Sequence, residues 1–329
     1  FLPHSCALTV TQNKNGTIII SRIYPLETSR KICYIDFMAK TPTILDFQKQ
    51  FPTDEACMEH MMRTRYGDRH DCEKCGRNAH FYRVKTRTAY ACEYCGHQVY
   101  PMAGTPFENT RTSLQLWFYV MFQFCASRNG VSAKEVQRQT GVTYKTAWRM
   151  CNKIREYMGY VDGDPDLGGP GKPAVEADKA YIGGYDRQGH DDKAIVYGAV
   201  ERGGEVVTRI VPSKARDVVM GAVQDTINKG ATLYTDYGLA FNGMPGYRQE
   251  RVNHSKKEWA RGPVHTNTIE AFWLMVKRGI SGTYVWCSQR HLETYLDEFE
   301  FRWNLRKTPH LMFPLLCQSF ARPSVGRAA

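Results

Sequence analysis

Val175-Glu176-Ala177-Asp178-Lys179-Ala180-Tyr181-Ile182 reads as a strand, and it follows a Gly/Pro/Asp-rich linker at 161–173. Strands near 193–200 and 205–211 come next, joined as a hairpin by Glu201-Arg202-Gly203-Gly204. A helical run at 215–228 leads to the strand Ala231-Thr232-Leu233-Tyr234-Thr235, which ends at Asp236. A strand near 247–254 and a helix from 266 to about 278 complete the series. This order predicts an α/β domain: a mixed sheet flanked by helices, with its first strand central and beside the fourth.

In that layout Asp178 and Asp236 become neighbours, although 58 residues separate them. Glu270 follows Asp236 by 34 residues and is brought alongside by the last helix. Three converging carboxylates can hold two divalent cations about 3.5–4 Å apart, and oxygen ligands select Mg2+ or Mn2+ over zinc. Each carboxylate alone says little, because an aspartate at a strand end is usually a turn former. Lys277 adds weight: seven residues after Glu270, it lies two turns along the same helix face, where a cation can grip a phosphate. Glu176 shares the strand face of Asp178 and is a reserve ligand. Asn267, one turn before Glu270, is a reserve for the third position. His254 and His265 flank the approach to this helix and read as structural, and His190, Asp191 and Asp192 as a turn.

The formal charge of +11 favours a polyanionic partner. Residues 38–160 carry 18 Lys and Arg against 11 Asp and Glu, whereas residues 161–329 carry 22 against 20. The excess lies ahead of the predicted sheet. Eleven cysteines, only four of them in a spaced pattern, suit a reducing compartment with one metal site, not a disulfide framework. The most apolar stretch, 114–126, contains Gln115 and Gln123 and is too short to span a bilayer; it reads as a buried helix. No secretory leader is seen, so no membrane partner is expected.

Cys72-x2-Cys75 and Cys92-x2-Cys95, with 16 residues between them, have the spacing of a structural zinc site. Gly76 and Gly96 follow the two pairs and let backbone amides approach the sulfurs. Cys57, His60, His70 and His97 stand near, but a complete four-thiolate set leaves no vacancy for them. Between the pairs, Arg83, Lys85 and Arg87 would share one strand face and suit phosphate contact. Further on, Ser132-x2-Glu135 opens a short helix, Thr140-Gly141-Val142 turns, and Thr143 caps a second helix. This resembles a helix-turn-helix, whose second helix would present Tyr144, Lys145, Arg149 and Lys153 to DNA. A helical subdomain that only packs is the competing reading.

The expected organisation is a non-native or upstream-translated extension at 1–37, a helical lead-in at 38–69 and a zinc ribbon at 70–100. A helical DNA-binding segment at 101–160, the linker, a catalytic domain at 174–310 and a tail at 311–329 follow. Leu292, Tyr295, Leu296, Phe299 and Trp303 recur at helical spacing near the end and read as core.

Together these residues resemble bacterial insertion-sequence transposases of the DDE type, in the branch that places a zinc ribbon before an RNase H-like domain. The resemblance is carried by the cysteine pairs, by Gly104-Thr105-Pro106-Phe107-Glu108 with Leu114-Gln115-Leu116-Trp117, and by Val175-Glu176-Ala177-Asp178 with Tyr181-Ile182-Gly183-Gly184. It continues through Tyr234-Thr235-Asp236 and His265-Thr266-Asn267-Thr268-Ile269-Glu270, then Phe272-Trp273 and Lys277-Arg278-Gly279. It covers about residues 44–307 and implies that Asp178, Asp236 and Glu270 are catalytic acids, with Lys277 the lysine after the third. Some relatives use Asn for the last acid, which keeps Asn267 in view. The usual acidic residue after the first Asp is Lys179 here. The resemblance further implies a cytoplasmic, nucleoid-associated enzyme that cleaves and joins double-stranded DNA as a homo-oligomer. The alternatives are an RNase H-like nuclease or resolvase, and a catalytically inactive DNA-binding regulator.

Overall fold

A computed structural model describes residues 8–12, 18–22, 40–183 and 193–322. Among them the chain forms two compact units. One gathers 40–128, 133–157 and 308–322; the other gathers the N-terminal hairpin, 129–132 and 158–307. The hairpin pairs β1 (Leu8–Gln12) antiparallel with β2 (Ile18–Arg22). The rest of the expected extension, together with His190, Asp191 and Asp192, lies outside the described residues.

The first unit opens with α1 (Ile44–Gln50) and α2 (Asp54–Tyr66). Thr43 caps α1 in a reciprocal box with Asp46, and Thr53 accepts the Ala56 amide to cap α2. Acids at the start of α2 (Asp54, Glu55) and bases at its end (Arg63, Arg65) oppose the helix dipole as expected. Five short strands form the ribbon: β3 (His70–Asp71), β4 (Asn78–Ala79), β5 (Phe81–Val84), β6 (Ala89–Cys92) and β7 (Gln98–Val99). Then come α3 (Leu114–Ala126), α4 (Ala133–Thr140) and α5 (Tyr144–Asp162), the last of which runs on into the second unit. Helix α3 is the expected buried helix, with Trp117, Phe118, Val120, Met121 and Phe124 at most 1% exposed. Its rings meet those of a helix in the segment expected as a tail: Phe313 lies 5.7 Å from Phe122, and Phe320 lies 6.3 Å from Trp117 and 5.3 Å from Phe107, which precedes α3.

The second unit is built on a five-stranded sheet in the order β10-β9-β8-β11-β12. Its members are β8 (Val175–Ile182), β9 (Ala194–Glu201), β10 (Val206–Val211), β11 (Thr232–Asp236) and β12 (Arg248–Val252). β8, β9 and β10 are antiparallel neighbours, whereas β11 runs parallel to both β8 and β12. The crossover between β10 and β11 carries α6 (Arg216–Thr226). A small ribbon of β13 (Ala260–Arg261) and β14 (Val264–His265) leads into α7 (Asn267–Gly279). Two helices follow, α8 (Gln289–Asn304) and α9 (Met312–Phe320), and α9 belongs to the first unit. The first strand is thus central and beside the fourth, in the mixed sheet that the sequence predicts.

Alternation along β8 sorts two cores. Val175 and Ala177 face α6 with Val219, Val223 and Phe241. Ala180 and Ile182 face α7 and α8 with Ile269, Phe272, Trp273, Leu292, Leu296 and Phe299. Glu176 and Asp178 share the parity of the second set, so both look toward α7. No helix among the described residues is long and apolar enough to cross a membrane.

Gly198, paired with Asp178 across β8 and β9, lets α7 lie close to the sheet. A Cβ at Gly198 would stand 2.5 Å from the Trp273 ring and 3.3 Å from Ile269. Gly198→Ala is therefore expected to lower stability by about 1–3 kcal/mol through overpacking, seen as a lower urea midpoint at unchanged slope.

Candidate carboxylate and zinc sites

The parallel register of β8 and β11 pairs Val175 with Leu233, Glu176 with Tyr234, and Ala177 with Thr235. One further step along both strands brings Asp178, midway along β8, level with Asp236, the last residue of β11. Glu270 stands in the first turn of α7, where it accepts a hydrogen bond from the Thr266 hydroxyl (2.8 Å). The His254 Nε2 lies 3.8 Å from the same oxygen. Burial pushes the Asp178 carboxyl up to about 6, and the Asp236 and Glu270 carboxylates add to the rise. A hydrogen bond from the Lys179 amide and the Lys179 charge oppose it. All three acids therefore meet in one electrostatic neighbourhood.

Lys179, the departure noted in the sequence, stands on the opposite strand face. Its ammonium packs over the Phe241 ring and comes within 3.9 Å of the Asp236 carboxylate. Asn267, Glu270 and Lys277 are exposed along α7, with Leu274 also on the open side of the helix.

Glu176 is not available as a reserve ligand. Its side chain has no exposed surface, and both oxygens are taken. Oε2 accepts the amides of Thr268 (2.7 Å) and Ile269 (3.1 Å). Oε1 accepts Arg202 Nε (2.8 Å) and the Thr268 hydroxyl (2.9 Å), with His265 Nδ1 3.2 Å away. The sequence reading missed Arg202, Thr266 and Thr268. Arg202 sits in what reads as an ordinary hairpin turn, and nothing local signals a partner 26 residues earlier.

Among the described residues, the group of three or more metal-ligating side chains already gathered is Cys72, Cys75, Cys92 and Cys95, whose sulfurs all lie within 4.8 Å of one another. Cys72 and Cys95 are 3.6 Å apart, and Cys75 and Cys92 are 4.0 Å apart. Tetrahedral zinc with bonds of about 2.3 Å would set its sulfurs about 3.8 Å apart, so the quartet fits zinc closely. Each pair closes through a glycine with positive φ: the Gly76 amide reaches the Cys72 carbonyl, and the Gly96 amide reaches that of Cys92. Burial raises the Cys72 pKa, but amides of Cys75 and Lys74 and neighbouring thiols bring it down to about 6. The His97 amide lowers Cys95, yet burial and the other three sulfurs push it up to about 11. Several thiolates at this spacing need a cation to coexist. Nearby His60, held between the rings of Phe51 and Phe118, is driven down to about 4 by burial and stands apart from the quartet.

The three carboxylates do not form such a gathered set, because Glu270 is turned to Thr266 and His254. Their donor chemistry, carboxylate oxygens from three elements, suits a hard divalent cation.

Two expectations about basic side chains need correction. Strand β5 ends at Val84 and the chain turns at once, so Arg83, Lys85 and Arg87 do not share a strand face. Arg83 instead bends back to donate to the carbonyls of Val84 and Arg87, leaving Lys85 and Arg87 exposed at the hairpin tip. On α5, Lys153 is tied to Glu156 at 2.5 Å. Tyr144, Lys145 and Arg149 are exposed, and Thr143 caps the helix through the Thr146 amide (3.3 Å).

A mixed sheet that sets Asp178 of β8 level with Asp236 at the end of β11, beside a carboxylate-bearing helix, has the RNase H-like arrangement, and a four-cysteine ribbon precedes it in the chain. Residues 167–304 match the ISXO2-like transposase domain, and residues 52–98 match the transposase zinc-ribbon domain. The chain is also 26% identical over 260 residues to an uncharacterized protein in transposable element ISH50 of Halobacterium salinarum, covering 69% of this chain and 82% of that protein. Both domain matches are to transposase families, and they fall on the two features just described, the sheet with its carboxylates and the cysteine ribbon.

Cys92→Ser is expected to abolish the bound zinc that metal analysis should find at one ion per wild-type chain. A second test concerns Asp178. Folding raises its pKa from 3.8 to about 6, so the folded state holds the proton through that window. Metal-free stability should fall as pH rises from about 4 to about 6 and stay lower above it. Asp178→Asn should then be more stable than wild type by about 1–3 kcal/mol at neutral pH, with the gap closing near pH 4 in denaturant titrations.

Proposed function

We propose that this protein is the transposase of an insertion sequence, cleaving element ends and joining the freed 3′-hydroxyl to target DNA. The observation that carries the reading is the parallel register that sets Asp178 of β8 level with Asp236 at the end of β11, with the Asp236 and Glu270 carboxylates adding to the rise of the buried Asp178 carboxyl. Asp178, Asp236 and Glu270 would hold Mg2+ or Mn2+. Two such ions supply activation of the attacking oxygen and stabilisation of the leaving oxygen. Asp178 carries its proton up to about pH 6 and must release it to become a ligand, so metal uptake is favoured above that pH. Lys277, two turns beyond Glu270 on the exposed face, would grip the phosphate beside the scissile bond. Asn267 is exposed one turn before Glu270 on the same face and is the reserve for the third position.

The partner is double-stranded DNA, both element ends and target. Tyr144, Lys145 and Arg149 on α5, with Lys85 and Arg87 at the ribbon tip, offer exposed cations and an aromatic ring for it. Holding two ends at once calls for a homo-oligomer on DNA. Work on chromosomal DNA sets the place of action at the nucleoid.

Asp236→Asn should reduce Mg2+-dependent joining of a labelled element-end duplex to plasmid by more than about 100-fold, beyond the loss typical of removing only an outer partner of a metal site. Binding of the duplex should persist. Cleavage by wild type without joining would instead identify a nuclease or resolvase. Binding without any chemistry would identify a regulator.

A further inference from the structure

We propose that Glu176 is a positioning residue that fastens the first turn of α7 to β8 and so fixes Glu270 relative to Asp178. This rests on the reading of Asp178, Asp236 and Glu270 as the catalytic acids. The first amides of a helix have no partner within the helix, and a side chain at its N-cap usually serves them. Thr266 occupies that place in α7 but makes no side-chain bond to the helix backbone; its hydroxyl is turned to Glu270. The cap comes from another element. Glu176, in the middle of the sheet, accepts the amides of Thr268 and Ile269 through Oε2. A negative charge there also meets the positive end of the helix dipole.

The lever is short. Along β8 the clamp is two residues from Asp178, on the same face. Along α7 it is one residue from Glu270. A carboxylate with no exposed surface tolerates little movement, since each oxygen is directed by more than one donor. Arg202 neutralises it, donates also to the His265 carbonyl, and packs over the Tyr234 ring at 4.6 Å. The clamp thus joins β8, the turn after β9, a ring on β11 and the entrance to α7. A small loss of its geometry would be felt as a displacement of Glu270, without disturbing surfaces that meet DNA.

The test uses the full-length protein with Thr268→Ala, Thr268→Ser, Glu176→Gln and Asp178→Asn. Each is read by electron paramagnetic titration of Mn2+, by joining kcat against KM for end DNA, and by thermal melting. Thr268→Ala removes one hydroxyl bond to Glu176 and is expected to weaken Mn2+ binding and lower kcat by about 10–100-fold, with KM for DNA and melting held close to wild type. Thr268→Ser restores the hydroxyl and should restore both. Glu176→Gln should exceed Thr268→Ala; if it fails to fold, the threonine pair still decides. Wild-type Mn2+ binding and kcat in Thr268→Ala, with Asp178→Asn inactive, would overturn the positioning role while leaving the transposase reading intact. An Asp178→Asn variant that binds Mn2+ and joins DNA like wild type would overturn both.

Discussion

A carboxylate held out of water must be met by donors or it costs several kcal/mol to keep there. Glu176 is such a group, and its partners come from three parts of the chain: the turn after β9, the end of β14 and the first turn of α7. Removing the carboxylate would leave Arg202 Nε and two helix amides without their acceptor. Much of the second unit follows from satisfying it. The N-terminus of α7 has to sit over β8, and the rest of the helix then lies across β9, where Gly198 leaves room for the Trp273 ring. The apolar face of α7 meets α8 through Phe272, Trp273, Leu296 and Phe299. The polar face is left open with Asn267, Glu270 and Lys277.

The cysteine quartet and the carboxylate grouping are of opposite chemical kinds. The cysteine quartet is complete as folded, with sulfur spacing set by paired glycine turns and short strands. It selects a soft-tolerant, tetrahedral ion and holds a small fold that lacks a large core. The carboxylates are spread over three elements, and Glu270 is drawn toward Thr266 and His254. One grouping is a staple. The other is an open acidic grouping whose charge is balanced in part by Lys179.

The sequence makes the local parts of this arrangement plain. Cysteine spacing is a short-range signal, and the sulfurs meet as it predicts. The strands of the sheet begin and end within a residue or two of the expected bounds, because linker, turn and glycine signals punctuate them. The central position of β8 follows from the order of elements. Other features depend on contacts that no window contains. Glu176 looks like a ligand on the Asp178 face until Thr268, 92 residues later, is seen to bind it. The Arg83-Lys85-Arg87 alternation looks like a strand stripe, but β5 ends at Val84 and the turn that follows removes the periodicity it assumes. Residues 311–329 carry too short an apolar run to announce a helix, and α9 is recognisable only once Phe47, Phe107 and Phe122 are there to receive its rings.

The parallel pairing of β8 with β11 also bears on the order of events during synthesis. β8, β9 and β10 are consecutive antiparallel neighbours and can pair as they emerge. Asp236 reaches Asp178 only after the α6 crossover has closed, and non-local pairings of this kind form late. Glu270 arrives later still, with the helix that Glu176 must wait to cap. A chain still on the ribosome therefore presents isolated acids on separate elements, and the complete carboxylate grouping exists only after α7 has been made and docked.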